Sequence, residues 1–489
     1  MGYRRAFFYP PLLFACSSAK AKATRGQRMK KRGLIPQAFS LAPKLQRKNT
    51  SEKKLQCLAW VLISFIYKMT LTLILVSACS PSVVKHIRHS EVFNGNFTGF
   101  YLYDPGKQKI LADINGKRYF TPASNTKIFT FYTGLKVLGD LVPALKYVIR
   151  DDSLIIWGTG DPSFLHPDLT ESPVFDFLVN IDKSVYLSFS NFYDKSFGPG
   201  WAWDDYMYAY QPEKSSFPVY GNMVQVEKKK DTTGLWVTPR TFKKFLTPVY
   251  DFQPFPSVKR NESDNLLYYV PPDDTLSFNR YIPFKYNPEL IRELLEDTLL
   301  RKITVVNKLP DKEAVTLYGI PSDSVFKRMM QVSDNFIAEQ VMLMCAGILS
   351  DSLNTRIAIK YSKDSLLADL PDEPVWVDGS GLSRYNLFTP RSIVALWEKI
   401  YETVPEERLF NLLAAGGRSG SLKNWYMSDP PYIFGKTGTL RNNHCLSGFL
   451  KTKKGNLLIF SFMNNNYNNT SVNIKREMEI ILWEIHEKY

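Results

Sequence analysis

The stretch Phe120-Thr121-Pro122-Ala123-Ser124-Asn125-Thr126-Lys127-Ile128-Phe129-Thr130 decides how this chain is read. Thr121 is a good N-cap and Pro122 suits the first helical position, where a missing N–H costs nothing. Ile128, Phe129, Tyr132, Leu135 and Leu138 follow at helical spacing, with Gly139 as a stop. The pattern predicts a helix with Ser124 in its first turn, where backbone N–H groups lack partners and the dipole is positive. Lys127, three residues on, shares that face. A lysine with a lowered pKa can take the proton of an aliphatic hydroxyl, and an unpaired N–H can serve as half of an oxyanion hole. Ser-x-x-Lys alone is common: Ser17, Ser51, Ser82 and Ser324 begin the same tetrad. Partners elsewhere must decide.

Two further segments supply them. Ser-Asp-Asn occurs twice. Ser263-Asp264-Asn265 precedes a short β run and reads as a surface turn. Ser333-Asp334-Asn335 precedes Phe336, Ile337, Val341, Met344, Cys345 and Ile348, a helical repeat. At a helix end Ser333 and Asn335 can both face a cleft, offering a proton relay and an amide. Gly435-Lys436-Thr437-Gly438-Thr439 holds the chain's one Lys-Thr-Gly, a triplet expected by chance about 0.1 times in this length. It should lie on or beside an edge strand, with Gly435 and Gly438 allowing close backbone approach. A lysine and two threonine hydroxyls there would bind a carboxylate, and the Thr439 N–H could complete the oxyanion hole.

In this order, Ser-x-x-Lys, Ser-x-Asn and Lys-Thr-Gly form the signature of penicillin-recognising serine enzymes. The 209 residues from Ser124 to Ser333 exceed what one compact domain of that fold would place there. The chain therefore resembles the class C low-molecular-mass penicillin-binding proteins, the D-alanyl-D-alanine carboxypeptidase/endopeptidase family. Asp378-Gly379-Ser380-Gly381-Leu382-Ser383-Arg384-Tyr385-Asn386-Leu387-Phe388-Thr389-Pro390, Gly160-Asp161-Pro162 and Lys436 through Gly448 resemble it as well, so the likeness covers residues 97–485.

The resemblance implies an α/β fold: an antiparallel sheet flanked by helices, as in serine β-lactamases and DD-peptidases, with a large, mostly β insertion. It implies that Ser124 attacks a D-Ala–D-Ala carbonyl of peptidoglycan stem peptides with Lys127 as base. Ser333 would relay a proton to the leaving D-alanine and Asn335 would orient the acyl chain. Lys436 would keep the cleft positive, Thr437, Gly438 and Thr439 would line the carboxylate site, and Arg384 would meet a side-chain carboxylate. Penicillin sensitivity follows, with no cofactor. Family members place an acid in the insertion to meet a side-chain amine, and no match is evident near Ser188-Phe189-Ser190-Asn191-Phe192. The rival readings are a β-lactamase, which would need a deacylating residue near Glu373, an esterase, and a non-catalytic wall-binding lipoprotein.

The domain expectation is a catalytic body in 96–146 and 286–489, interrupted by an insertion at 147–285. The insertion is rich in aromatics, Pro and short β runs; its cluster Trp201-Ala202-Trp203-Asp204-Asp205-Tyr206 is expected to pack under a loop, with a carbohydrate platform as the alternative. Helical periodicity returns at Glu289–Leu300, at Phe326–Leu349 in one or two pieces, and at Arg391–Val404. A hairpin, Leu446–Leu450 with Leu457–Met463, and a helix from Val472 to His486 close the chain.

The 489 residues carry 62 Lys and Arg against 47 Asp and Glu. Fifteen of the basic residues lie in 1–68 against one acid, Glu52, leaving 47 basic and 46 acidic residues beyond. The body thus has no polycationic signature of nucleic-acid binding. Residues 1–79 form a basic leader. Leu71 to Val76 followed by Ser77-Ala78-Cys79 resembles a bacterial lipoprotein signal, which would make Cys79 a lipidated anchor to the membrane of the cell envelope, with 80–95 as a tether. The alternative is a spanning helix from Leu55 to Val76 interrupted by Lys68. Cys345 and Cys445, the two cysteines of the body, make no disulfide framework. His86-x-x-His89 is expected to be solvated linker rather than a metal site.

Overall fold

The computed structural model describes residues 82–489 except 170, 233, 251–257, 272–274 and 276. The leader and Cys79 lie outside the described residues. The central sheet has six strands in the order Ala414–Ala415, Ile433–Leu440, Asn443–Lys451, Leu457–Asn465, Phe97–Asp104, Lys109–Ile114. All neighbours are antiparallel, and Phe97–Asp104 pairs with Leu457–Asn465, so both ends of the body build one sheet as expected.

Alternation along the strands gives this sheet two apolar faces. Cys445, Phe449, Ile459 and Met463 point into a core shared with the helices Lys127–Val137, Asn335–Ser350 and Pro390–Thr403. Leu446, Leu450, Leu458, Phe460 and Phe462 point the other way, onto the C-terminal helix Ser471–Lys488. That second face also takes up Ser82–His89, a helix within the expected tether. Its Val83, Val84 and Ile87 are buried in the same core, and each such side chain contributes about 1.5 kcal/mol or more. His86 bonds Glu484 at 2.9 Å, so neither the helix nor His86 is solvated linker. Eight residues are too few for periodicity to announce a helix.

The insertion is larger than expected. Its main sheet runs Ile303–Val306, Ser184–Ser188, Ser153–Gly158, Leu141–Arg150, Val315–Pro321, so it begins before residue 147 and ends well after 285. The first three strands are parallel, and parallel neighbours need crossovers. Helix Pro173–Asn180 supplies one, and Pro288–Leu299 leads into Ile303–Val306. Leu290, Ile291, Leu294 and Leu295 therefore pack with Leu154, Ile156, Val185 and Leu187, not with the catalytic body. Two three-stranded sheets complete this β-rich region.

The predicted helical run 326–349 is two helices, Ser322–Gln331 and Asn335–Ser350, broken at Val332-Ser333-Asp334. Cys345 and Cys445 are both free and buried. Among the described residues no helix is long and apolar enough to cross a membrane.

Candidate active site

The expected cap at Thr121 is replaced by a tighter entry. Thr121 is held at both backbone groups by Asn465, at 2.7 and 3.1 Å. Ala123 then takes a left-handed φ of 49° and a 3-10 turn, Ala123–Thr126, carries Ser124 into the helix Lys127–Val137. A left-handed alanine is strained by about 1 kcal/mol or more and persists only where its surroundings over-determine it. Here Gly381 presses on it: a Cβ at 381 would lie 1.9 Å from the Ala123 carbonyl oxygen. The Asp378–Pro390 stretch thus forms the floor under Ser124. Asp378 anchors that floor, accepting from Gly381 N, Ser383 N, Asn386 Nδ2 and Trp201 Nε1 at 2.7–2.9 Å.

Lys127 is fully buried, and its Nζ donates to Ser124 Oγ at 3.0 Å, Asn335 Oδ1 at 2.6 Å and the Ser380 carbonyl at 2.6 Å. Three acceptors match the three protons of an ammonium. Burial pulls its pKa down to about 8 against the opposing charges of Asp378, Asp334 and Glu339. A neutral amine beside a hydroxyl is therefore accessible near neutrality.

Ser333 sits in the break between two helices with φ 65°. Asp334 caps the second helix by accepting from Ile337 N at 3.0 Å, which places Asn335 in its first turn. Lys436 Nζ donates to Ser333 Oγ at 2.7 Å and to the Thr437 carbonyl at 2.8 Å. Burial and then the charge of Lys127 hold Lys436 well below the usual lysine range. Asn335 donates its Nδ2 to the Tyr210 carbonyl at 2.9 Å, so both ends of its amide are occupied.

Ile433–Leu440 pairs with Ala414–Ala415 only at Phe434 and Gly435, leaving the edge from Lys436 onward facing the Ser124 turn. Asn125 joins the two: its Nδ2 donates to the Lys436 carbonyl at 3.0 Å, while its Oδ1 accepts from Ser447 Oγ at 2.7 Å. Gly438 is pressed against the turn. A Cβ there would lie 2.5 Å from the Pro122 oxygen and 2.9 Å from Ser124 N. Thr437 donates to Ser421 Oγ at 2.6 Å, and Thr439 Oγ1 lies 2.8 Å from His444 Nδ1.

Ser124, Ser333, Asn335, Thr437, Thr439 and Arg384 line one open cleft of about 1010 Å³. Arg384 reaches it from the floor loop and donates to the Arg441 carbonyl at 2.9 Å. Asp204, Asp205 and Tyr210, from the insertion, line it too. These acids, like Ser421 and His444, escaped the sequence reading; Asp204 and Asp205 lie beyond the 188–192 window. Trp201 does pack, through Asp378, but Trp203 is 74% exposed, against the expectation for the cluster. Glu373 lies outside this cleft, exposed and paired with Lys363 at 2.8 Å, so it offers no deacylating base to Ser124. Ser263-Asp264-Asn265 is a surface turn in which Asp264 accepts from Leu266 N at 2.9 Å.

Comparison with known proteins agrees with this architecture. D-alanyl-D-alanine carboxypeptidase DacB of Haemophilus influenzae is 23% identical over 474 residues, spanning 85% of this chain and 94% of that protein. Penicillin-sensitive carboxypeptidase A of Dictyostelium discoideum is 23% identical over 457 residues, 76% of this chain and 81% of its own. The crystal structure of penicillin binding protein 4 (dacB) from Haemophilus influenzae shares the fold, with a TM-score of 0.68 at 19% identity over 83% of this chain and 100% of that one. Residues 80–261 and 290–486 match the D-Ala-D-Ala carboxypeptidase 3 (S13) family, and the chain belongs to it.

Proposed function

We propose that this protein is a serine D-Ala-D-Ala carboxypeptidase/endopeptidase that cuts peptidoglycan stem peptides through an acyl-enzyme on Ser124. One observation carries the reading: Lys127 Nζ lies 3.0 Å from Ser124 Oγ while Lys436 Nζ lies 2.7 Å from Ser333 Oγ, and both serines line the same cleft. Neutral Lys127 accepts the Ser124 proton as Oγ bonds to the penultimate D-alanine carbonyl carbon. The N–H groups of Ser124 and Thr439 receive the oxyanion. As the C–N bond breaks, Ser333, hydrogen-bonded to Lys436, gives its proton to the departing D-alanine nitrogen. It is reprotonated by the proton that Lys127 took from Ser124, which leaves Lys127 neutral for the next step. Water then cleaves the ester, returning the proton to Ser124.

Thr437 and Thr439 meet the terminal carboxylate, and Lys436 and Gly438 keep that site positive and open. Asn335 holds Lys127 through Oδ1; it reaches the acyl chain by exchanging its Nδ2 bond to Tyr210 for one to substrate. Arg384 at the lip suits a side-chain carboxylate. Asp204 and Asp205 are the insertion's acids best placed for a side-chain amine. β-Lactams would acylate the same serine. Residence in the cell envelope through lipidated Cys79 is the part of the proposal that rests on sequence alone.

The test is release of free D-alanine from a pentapeptide ending in D-Ala-D-Ala, by wild type and Lys127→Ala. Release by wild type and loss of at least about 100-fold in the variant is expected, since general-base assistance contributes 10²–10⁴-fold. Equal release by both would overturn the assignment, as would none by wild type.

A further inference from the structure

Thr439 and His444 are direct partners across the turn at Arg441-Asn442, so their side chains share one face of the hairpin. Thr439 lines the cleft, whereas His444 is 2% exposed and lies beneath it, with its Nδ1 2.8 Å from Thr439 Oγ1. Burial, reinforced by the charge of Lys475, pulls the imidazole down to about 3. The ring is therefore neutral wherever the enzyme works and carries a single N–H. Its neighbour on the next strand, Asn464, is engaged elsewhere: its Oδ1 accepts from Thr98 and its Nδ2 faces Met478 Sδ.

A threonine hydroxyl has one proton, so the position of the ring proton decides what Thr439 offers the cleft. With the proton on Nε2, Nδ1 accepts the hydroxyl proton, and Thr439 presents only lone pairs, which repel a carboxylate. With the proton on Nδ1, the ring donates to Oγ1, and the hydroxyl proton is free to point outward. We propose that His444 is a positioning residue, held as the Nδ1–H tautomer, that commits the Thr439 hydroxyl to donate to the substrate's terminal carboxylate. This rests on the reading above that Thr439 meets that carboxylate. A neutral donor relay adds carboxylate affinity without a further cation beside Lys436, whose charged form burial and then the charge of Lys127 already disfavour.

The test compares His444→Asn, whose amide nitrogen can stand where Nδ1–H stood, with His444→Leu, of similar bulk but no donor. D-Alanine release is measured on a peptide ending in D-Ala-D-Ala, and cleavage on the same peptide with a C-terminal amide. The leucine variant should raise KM about tenfold for the acid, the loss expected for one charge-assisted hydrogen bond. Its kcat should stay within about twofold and its kcat/KM on the amide should not change, while asparagine restores most of the affinity. A leucine variant with wild-type KM, an equal loss on acid and amide, or asparagine no better than leucine would overturn the inference. A wild type that ignores the terminal carboxylate would instead overturn the underlying reading. Should both variants misfold, ¹⁵N-histidine spectra of Ser124→Ala protein with the acid peptide bound decide. A proton on Nδ1 supports the proposal, and one on Nε2 refutes it.

Discussion

Replacing Glu339 by glutamine tests how the site sets the basicity of Lys127. Glu339 lies one turn beyond Asn335, 1% exposed, and its Oε1 accepts the Ser380 N–H at 2.7 Å. The carbonyl of that same Ser380 accepts from Lys127 Nζ at 2.6 Å. The other Glu339 oxygen has no hydrogen-bond partner among the described residues. Burial and then the charge of Asp378 push the carboxyl up to about 7, while burial pulls Lys127 down to about 8. Where Lys127 loses its proton, Glu339 is thus mostly ionised and favours the ammonium. That charge raises Lys127 after those of Asp378 and Asp334. A carboxylate joined to the ammonium through one residue's backbone, not in direct contact, is worth about 1–2 kcal/mol at an effective dielectric of about 20–40, or roughly one pKa unit. Glutamine keeps an acceptor for Ser380 and removes the charge, so the neutral amine should appear at lower pH. The second-order rate of acylation by a reporter penicillin, followed from pH 5.5 to 9.5, reports the free enzyme. Its rising limb should move down by about one unit, with a lower plateau because a less basic amine is a weaker acceptor. A limb that stays within about 0.3 unit, or moves up, would refute this electrostatic account.

Two further substitutions probe separate parts of the structure. Gly438→Ala would place a methyl against Ser124 N, where a Cβ has 2.9 Å, and should cost about 10²–10³ in acylation rate while the thermal transition persists; near-normal acylation would contradict the oxyanion-hole assignment. Asp161 is buried, accepts from Ser163 N and Oγ at 2.9 and 2.7 Å, and is raised to about 6 by burial. Its folded pKa lies above the unfolded value of about 3.9, so its contribution is present below about pH 4 and lost as pH rises through about 6. Asp161→Asn should therefore gain on wild type by about 2 kcal/mol between pH 4.5 and pH 8 in thermal unfolding, and a pH-independent difference would contradict it.

The parts of the molecule that could be read from sequence are those whose chemistry and periodicity are local. The three motif segments, the closing hairpin and the helices near 289–300 and 391–404 follow from turn residues and apolar spacing. The break at Val332-Ser333-Asp334 was legible as a doubtful single helix. What could not be read depends on contacts made at long range. Ala123 adopts its left-handed φ because Gly381 lies against it, more than 250 residues away in sequence. The insertion's limits could not be read because Leu141–Arg150 pairs with Val315–Pro321, far along the chain, as well as with its hairpin neighbour Ser153–Gly158. His444 could have been found, since Arg441-Asn442 is a two-residue turn that sets Thr439 opposite it, but that needs the strand pairing first.

The central claim, that an activated Ser124 attacks from a cleft completed by Lys127, Ser333 and Lys436, is tested most directly by intact-mass measurement after incubation with a labelled penicillin. Wild type should gain the mass of one intact penicillin, and Ser124→Ala should gain none. An adduct retained by Ser124→Ala, or no adduct on folded wild type, would contradict the claim.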